Sequence, residues 1–339
     1  MSRLRPSGAP ASQGRLRPSG ASTSAKASVD KSAGQADIAW AEAGNAKATE
    51  VAVAAQLACL LEVSAPKPGN VSPGRAFHDL RYEDFLAGAA AIGAPLAAAG
   101  SQPLGVTIRT AIEATAQWTR SNTNLGIVLL LAPIARAAVR LKADTTPADV
   151  ASGFSRTLRD ELRRVLDATT VDDARDVYVA IRRAAPGGLG KVADQDVADE
   201  PTLRLVEVMR LAADRDSIAR EYATTFELTF VTGVPALEHA RRDGLPWDDA
   251  ILETFLTLLA STEDTHIARR GGTAMAADVS RQARAVIAAG GVRSTEGREA
   301  IERMDRGLGD ARHLGNPGTT ADLTAASIFV ALLAGAWRP

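Results

Sequence analysis

The chain has one cysteine, Cys59, in 339 residues. An internal disulfide and a multi-cysteine metal site are both excluded. Cys59 lies in the apolar run 57–61 and reads as a buried, reduced thiol. Aromatic residues make up only 4% of the chain. Strands favour aromatic and β-branched side chains, whereas alanine, which is abundant here, has the best helix propensity. The chain also lacks an excess of charge of either sign, with a formal net charge of -1. No global field is available to hold nucleic acid or an anionic membrane, so any phosphate binding must come from local clusters. A long hydrophobic run is missing too. The most apolar stretch, 127–135, is too short for a bilayer, and Arg136 and Arg140 follow it. These absences point to an all-α cytoplasmic protein with neither nucleic acid nor membrane as partner.

What is present falls into two parts. Residues 3–9 and 15–21 both read RLRPSGA, and no acidic residue precedes Asp30. Ser, Pro, Gly and Ala dominate this start, which reads as a disordered extension over 1–44. An Arg-rich, acid-poor start also resembles an organelle transit peptide, but an amphipathic stripe is missing. Hydrophobic residues make up 46% of the chain. Helical spacing dominates from about residue 45 and predicts one compact helical array over 45–339.

Helices are expected over about 41–62, 82–99, 104–119, 125–141, 147–166, 171–184, 201–213, 224–242, 246–261, 274–289 and 319–336. Pro66 and Pro68 end the first of these. Helix 125–141 is apolar nearly all round, which places it at the centre, with a kink at Pro133. The β-like run 226–231 is read as helix, broken near Gly233 and Pro235.

Six polar constellations punctuate these helices. In EVSAPKPGNV (62–71), Glu62 ends a helix and two prolines fix where Lys67 points, which suits a phosphate. In the loop 73–79, Arg75 and His78 could meet phosphate, and Asp79 or Asp84 could hold a metal. In SNTNLG (121–126), Asn122, Thr123 and Asn124 can cap the central helix, and a sugar or phosphate at that N-terminus could satisfy the buried amides. In GGLGK (187–191), Gly188 allows close backbone approach and Lys191 adds charge. It is not a Walker A loop, because Val192 stands where Ser or Thr should be. Asp264, His266, Arg269 and Arg270 form a dense polar cluster on a short helix. Asp322 falls in the first turn of the apolar last helix.

Taken in order, the strings EVSAPKPGNV, FHD (77–79), SNTNLG, DTHIARRGG (264–272) and NPGTTADLTAASIFVALL (316–333) resemble the triphosphoribosyl-dephospho-CoA synthase family over about residues 50–336. The resemblance implies an all-α enzyme that joins ATP to 3′-dephospho-CoA and releases adenine. Its product would be the precursor of the prosthetic group of citrate lyase or malonate decarboxylase acyl carriers. A 2′-hydroxyl would attack C1 of the ATP ribose with inversion. The expected cations for the triphosphate are Lys67, Arg75, Lys191 and Arg269, together with Mg²⁺ on Asp264 and Asp322. Glu62 is the expected base or oxocarbenium stabiliser. His78, Asn122, Asn124 and Gly188 complete the expected binding set, and self-association as a homodimer is an open expectation.

The chain departs from the family where members acting on dephospho-CoA carry a THKG-like string. Here it reads Thr123-Asn124-Leu125-Gly126, without the histidine and lysine. A divergent branch with another acceptor, such as a methanopterin-type cofactor intermediate, is therefore kept open by analogy of linkage. A Mg²⁺-dependent N-glycosidic hydrolase and a non-catalytic binding protein are the other readings.

Overall fold

A computed structural model describes residues 31–141, 151–309 and 312–336. The chain divides into two units, Met1–Ala41 and Glu42–Pro339. The expected extension over 1–44 falls largely outside the described residues. Of the first unit, residues 31–41 are described and are helical. The account below concerns the second unit.

Among the described residues no strand forms. The helices are α1 (Lys31–Ser64), α2 (Tyr82–Ala91), α3 (Gly93–Ala97), α4 (Leu104–Thr115), α5 (Leu125–Arg140), α6 (Ala151–Asp167), α7 (Val171–Ala184) and α8 (Leu205–Ala212). They continue as α9 (Ser217–Thr224), α10 (Val234–Arg242), α11 (Trp247–Ser261), α12 (Thr265–Gly271), α13 (Thr273–Ala288), α14 (Thr295–Leu308) and α15 (Gly318–Leu333). No helix among the described residues is long and apolar enough to cross a membrane.

Helix α5 is the centre of the array. Residues 127–135 along it are all buried, and it packs on α4, α6, α9 and α15. An element surrounded on every side needs no polar face, which is why its sequence shows none. It runs through Pro133 without ending. Cys59 is buried in the same core, and burial raises its thiol pKa. A second apolar cluster lies among α11 to α14, with Phe255, Leu256, Ile267 and Val279 at its heart. Helix α11 serves both clusters, Leu258 facing the first and Leu259 the second.

Two regions differ from expectation. Helix α14 lies in a stretch, 292–318, where no helix is expected. Half of its residues are charged, and Met304 and Leu308, four residues apart, are its buried large side chains, with Ile301 partly buried beside them. Ser294 caps it, its Oγ accepting from Gly297 N at 2.9 Å. The expected helix over 224–242 begins instead with Thr225 and Phe226 in the left-handed region, followed by a π-helix at Leu228–Gly233. The cause is Glu221, fully buried at the end of α9. Its carboxylate accepts from Leu228 N at 2.8 Å, Thr229 N at 2.9 Å and Thr229 Oγ1 at 2.6 Å. A side chain thereby satisfies the amides that open the π-helix.

Burial pushes the Glu221 carboxyl up to about 7 from its usual 4.5. Between those values the unfolded chain binds fewer protons than the folded one, so stability falls as pH rises through that window. The total is about 3 kcal/mol at 1.36 kcal/mol per pH unit. Other buried acids act with the same sign, so the readout is a comparison of variants. Urea unfolding followed from about pH 4.5 to 8 is expected to show a steeper loss of stability for the wild type than for Glu221→Gln. Parallel curves for the two proteins would remove Glu221 from this role.

Candidate functional site

Two cavities meet at the N-terminal ends of α5 and α15. The larger, about 670 Å³, is lined by α5, α7, α8, α9, α12 and the loops between them. The smaller, about 130 Å³, is lined by Glu62, Asn70, Asn122, Thr123, Asn124 and Asn316, among others. Asp322, Gly126, Leu125, His266 and Arg270 belong to both walls. Asp322 reaches this junction because α5 begins with a glycine in contact with it. A Cβ on Gly126 would stand 1.9 Å from Asp322 Oδ2. The carboxylate therefore lies directly against the first turn of α5.

The sequence candidates sort into three groups. Glu62, Asn122, Asn124, Arg269 and Asp322 line one or both cavities. Asn122 is exposed, and its Oδ1 accepts from Leu125 N at 3.1 Å, which is the expected capping of α5. Asn124 is buried and turned the other way, its Nδ2 donating to Thr115 Oγ1 at 3.0 Å. Arg269 pairs with Asp216 at 2.6 Å, and Asp216 in turn caps α9 through Ile218 N and Ala219 N.

Lys67 and Asp264 lie close to the cavities but line neither, which corrects two expectations. Lys67 is buried against Glu62, with Nζ 3.1 Å from Glu62 Oε1. Nζ also donates to the carbonyls of Glu62 and of Ala65, the latter at 2.7 Å. All three ammonium protons have acceptors inside the protein, so none is left for a phosphate. Asp264 is also buried. Its Oδ1 accepts from Ile267 N at 3.0 Å, and its Oδ2 accepts from Thr320 N at 2.7 Å and Thr320 Oγ1 at 2.8 Å. One carboxylate thus caps the starts of both α12 and α15.

The remaining four candidates stand apart. Arg75 is ion-paired with Asp305, whose Oδ1 also accepts from Gly69 N at 2.9 Å. His78 is exposed beside Asp79. Gly188 has φ +80°, and a Cβ there would meet the Arg269 carbonyl at 3.0 Å, so its backbone lies close to α12. Lys191 is exposed on the same loop and lines neither cavity.

The electrostatics centre on three acids. Burial is the first cause raising the pKa of Glu62, of Asp264 and, most strongly, of Asp322. For Asp322 the neighbouring charges of Glu62 and Asp264 add to burial, and Arg269 opposes them. His266 is pushed down to about 4 by burial first and then by Arg269 and Arg270, so it is a neutral imidazole at pH 7. Arg270 NH1 lies 3.4 Å from His266 Nε2, and its NH2 donates to the Arg312 carbonyl at 3.1 Å. His266 and Arg270 stand out as site residues only here, though both lie within a polar cluster visible in the sequence. Arg120, Arg183 and Arg215, also on the wall of the larger cavity, lie outside every constellation and carry no sequence signal of their own.

The donor set can be compared with the needs of Mg²⁺. Among the described residues no group of three or more His, Cys, Asp or Glu side chains forms a metal cage. Mg²⁺ bound by substrate phosphates needs only one or two carboxylates and keeps its waters. Asp322 fits that requirement, and the buried Oδ1 of Asn70, which has no hydrogen-bond partner, is a further oxygen on the smaller cavity's wall.

Residues 48–339 match the family described as CitG: ATP:dephospho-CoA triphosphoribosyl transferase. A Vibrio cholerae protein named probable 2-(5''-triphosphoribosyl)-3'-dephosphocoenzyme-A synthase is 27% identical over 293 residues, covering 80% of this chain and 84% of that protein. A Klebsiella pneumoniae 2-(5''-triphosphoribosyl)-3'-dephosphocoenzyme-A synthase is 34% identical over 102 residues, 30% of this chain and 36% of that protein. A solved Archaeoglobus fulgidus structure carrying the triphosphoribosyl-dephospho-CoA synthase name superposes with TM-score 0.56 at 25% identity. The match covers 75% of this chain and 100% of the solved one.

Replacing Lys67 by Met leaves the Glu62 carboxylate buried without its counter-ion. The expected loss is about 3–5 kcal/mol in urea unfolding, with most of it recovered in the double variant Glu62→Gln/Lys67→Met. Additive losses in the double variant would show that the pair is not coupled.

Proposed function

Because the chain belongs to the ATP:dephospho-CoA triphosphoribosyl transferase family, we propose that it moves the triphosphoribosyl unit of ATP onto a hydroxyl of 3′-dephospho-CoA and releases adenine. The catalytic unit is residues 45–339. The observation that carries this reading at the level of residues is the place of Asp322, in the wall of both cavities and against the first turn of α5.

In the reaction the bond between C1′ and the adenine nitrogen breaks and a C1′–O bond forms. The acceptor hydroxyl loses its proton, and the departing adenine takes one up. Glu62 is assigned as the acceptor of the hydroxyl proton. It lines the smaller cavity, Lys67 favours its ionised form, and burial raises its proton affinity, which brings it closer to the range useful to a base. Positive charge developing on the ribose is stabilised by Glu62. Asp322 would hold Mg²⁺, which supplies charge neutralisation for the triphosphate. Arg269 and Arg270 provide guanidinium donors for phosphate oxygens beside it. The neutral imidazole of His266 can accept or donate one hydrogen bond without adding charge.

Adenine release from ATP, followed by chromatography with dephospho-CoA present, tests this reading. Glu62→Gln and Asp322→Asn are each expected to lower kcat by roughly 10²-fold or more. Gly126→Ala is expected to do likewise, because its methyl group displaces the Asp322 carboxylate. Adenine release that is independent of acceptor would point to hydrolysis instead. Full activity in all three variants would remove the junction from the chemistry.

A further inference from the structure

Part of the larger cavity's wall has a chemistry that a nucleoside triphosphate does not require. Val177 and Ile181 of α7, Val208, Met209 and Leu211 of α8, and Ile218 of α9 all line it. Leu189, on the glycine-containing loop between α7 and α8, lines it too. Leu189 and Leu211 are two of the large apolar side chains that stay exposed, at 45% and 53%. Solvent-facing leucines on a cavity wall are a cost unless something covers them. Apart from Arg183 at the end of α7 and Arg215 after α8, the charged part of the wall is held by other elements. Asp322 and Thr319 of α15, and His266, Arg269 and Arg270 of α12, form it.

The two substrates differ in the matching way. ATP consists of a flat base, a sugar and a highly charged tail. Dephospho-CoA carries a nucleoside diphosphate with a long, flexible, uncharged arm, the pantetheine chain, built of methylenes, a gem-dimethyl group and two amides. Only the acceptor offers a long apolar segment to cover the leucines. The arm also needs a few polar partners. Ser121 and Asn122 on the same cavity's wall are side chains of that kind.

We propose that the apolar wall formed by α7, α8 and Leu189 is the subsite for the pantetheine arm of the acceptor, and that it selects dephospho-CoA over shorter nucleoside diphosphates. This inference rests on the reading of the reaction given above. It adds where the acceptor arm lies and which residues distinguish it from ATP. The triphosphate and the arm then occupy different walls of one cavity, which lets both substrates be present together.

Val208→Trp fills the arm from a half-buried position, and the double variant Leu189→Ser/Leu211→Ser removes the exposed leucines with little risk to folding. Both are expected to raise KM for dephospho-CoA by roughly tenfold or more, while KM for ATP moves by less than about twofold. The wild type is expected to prefer dephospho-CoA over ADP, which keeps the nucleoside diphosphate without the arm, and Val208→Trp to narrow that preference. Binding of free pantetheine, followed by saturation-transfer NMR, gives a readout independent of turnover. Loss of that signal in Val208→Trp supports the subsite even if the wild type releases no adenine, in which case the reaction assigned above fails and the subsite stands. Adenine release with an unaltered KM for dephospho-CoA in both variants, or a rise confined to KM for ATP, overturns the subsite.

Discussion

Three carboxylates set close together, Glu62 and Asp264 buried and Asp322 half-buried, are the constraint on which the rest of the site depends. Ionised acids in a low-dielectric interior repel one another and lose hydration, so each must be compensated or must hold its proton. The fold treats each differently. Glu62 has Lys67, whose ammonium is entirely taken up by that duty. Asp264 has three donors drawn from two helix starts: Ile267 N, Thr320 N and Thr320 Oγ1. Asp322 has the charge of Arg269 acting in its favour and two acids acting against it. The least compensated of the three is also the one exposed to both cavities. A ligand that brings positive charge or a proton is therefore received where the protein itself leaves the balance incomplete.

The architecture was legible because it follows from periodicity. Residues 127–135 of helix α5 show no polar face and are buried throughout. Its neighbours carry apolar positions at three- and four-residue steps, and their ends fall near Pro and Gly. What periodicity cannot express was missed. The π-helix after Phe226 exists because a buried carboxylate one turn earlier supplies acceptors for its amides, a dependence between residues that no spacing rule records. Helix α14 escapes the periodicity because half of its residues are charged and few of its apolar side chains are fully buried, Met304 and Leu308 among them.

The site was legible as a set of strings and not as a set of roles. The strings converge as expected: EVSAPKPGNV, SNTNLG, DTHIARRGG and the start of α15 surround the two cavities. Within them, type and position do not determine duty. Lys67 and Asp264 have the side chains of a phosphate binder and a metal ligand, and both are consumed by intramolecular partners that only the fold brings within reach. Gly126 carries the opposite lesson, since a residue without a side chain decides where Asp322 can stand. Asn124 and Leu125 line the smaller cavity.

The shared capping by Asp264 has a mechanical consequence. A helix normally starts on its own cap, so neighbouring helices can tilt separately. Here α12 and α15 begin on the two oxygens of one carboxylate group, and the arginines of one and the aspartate of the other are yoked. Neither can swing outward without breaking the hinge-pin for both. The relative placement of guanidinium and carboxylate is thus set by the fold before any nucleotide arrives.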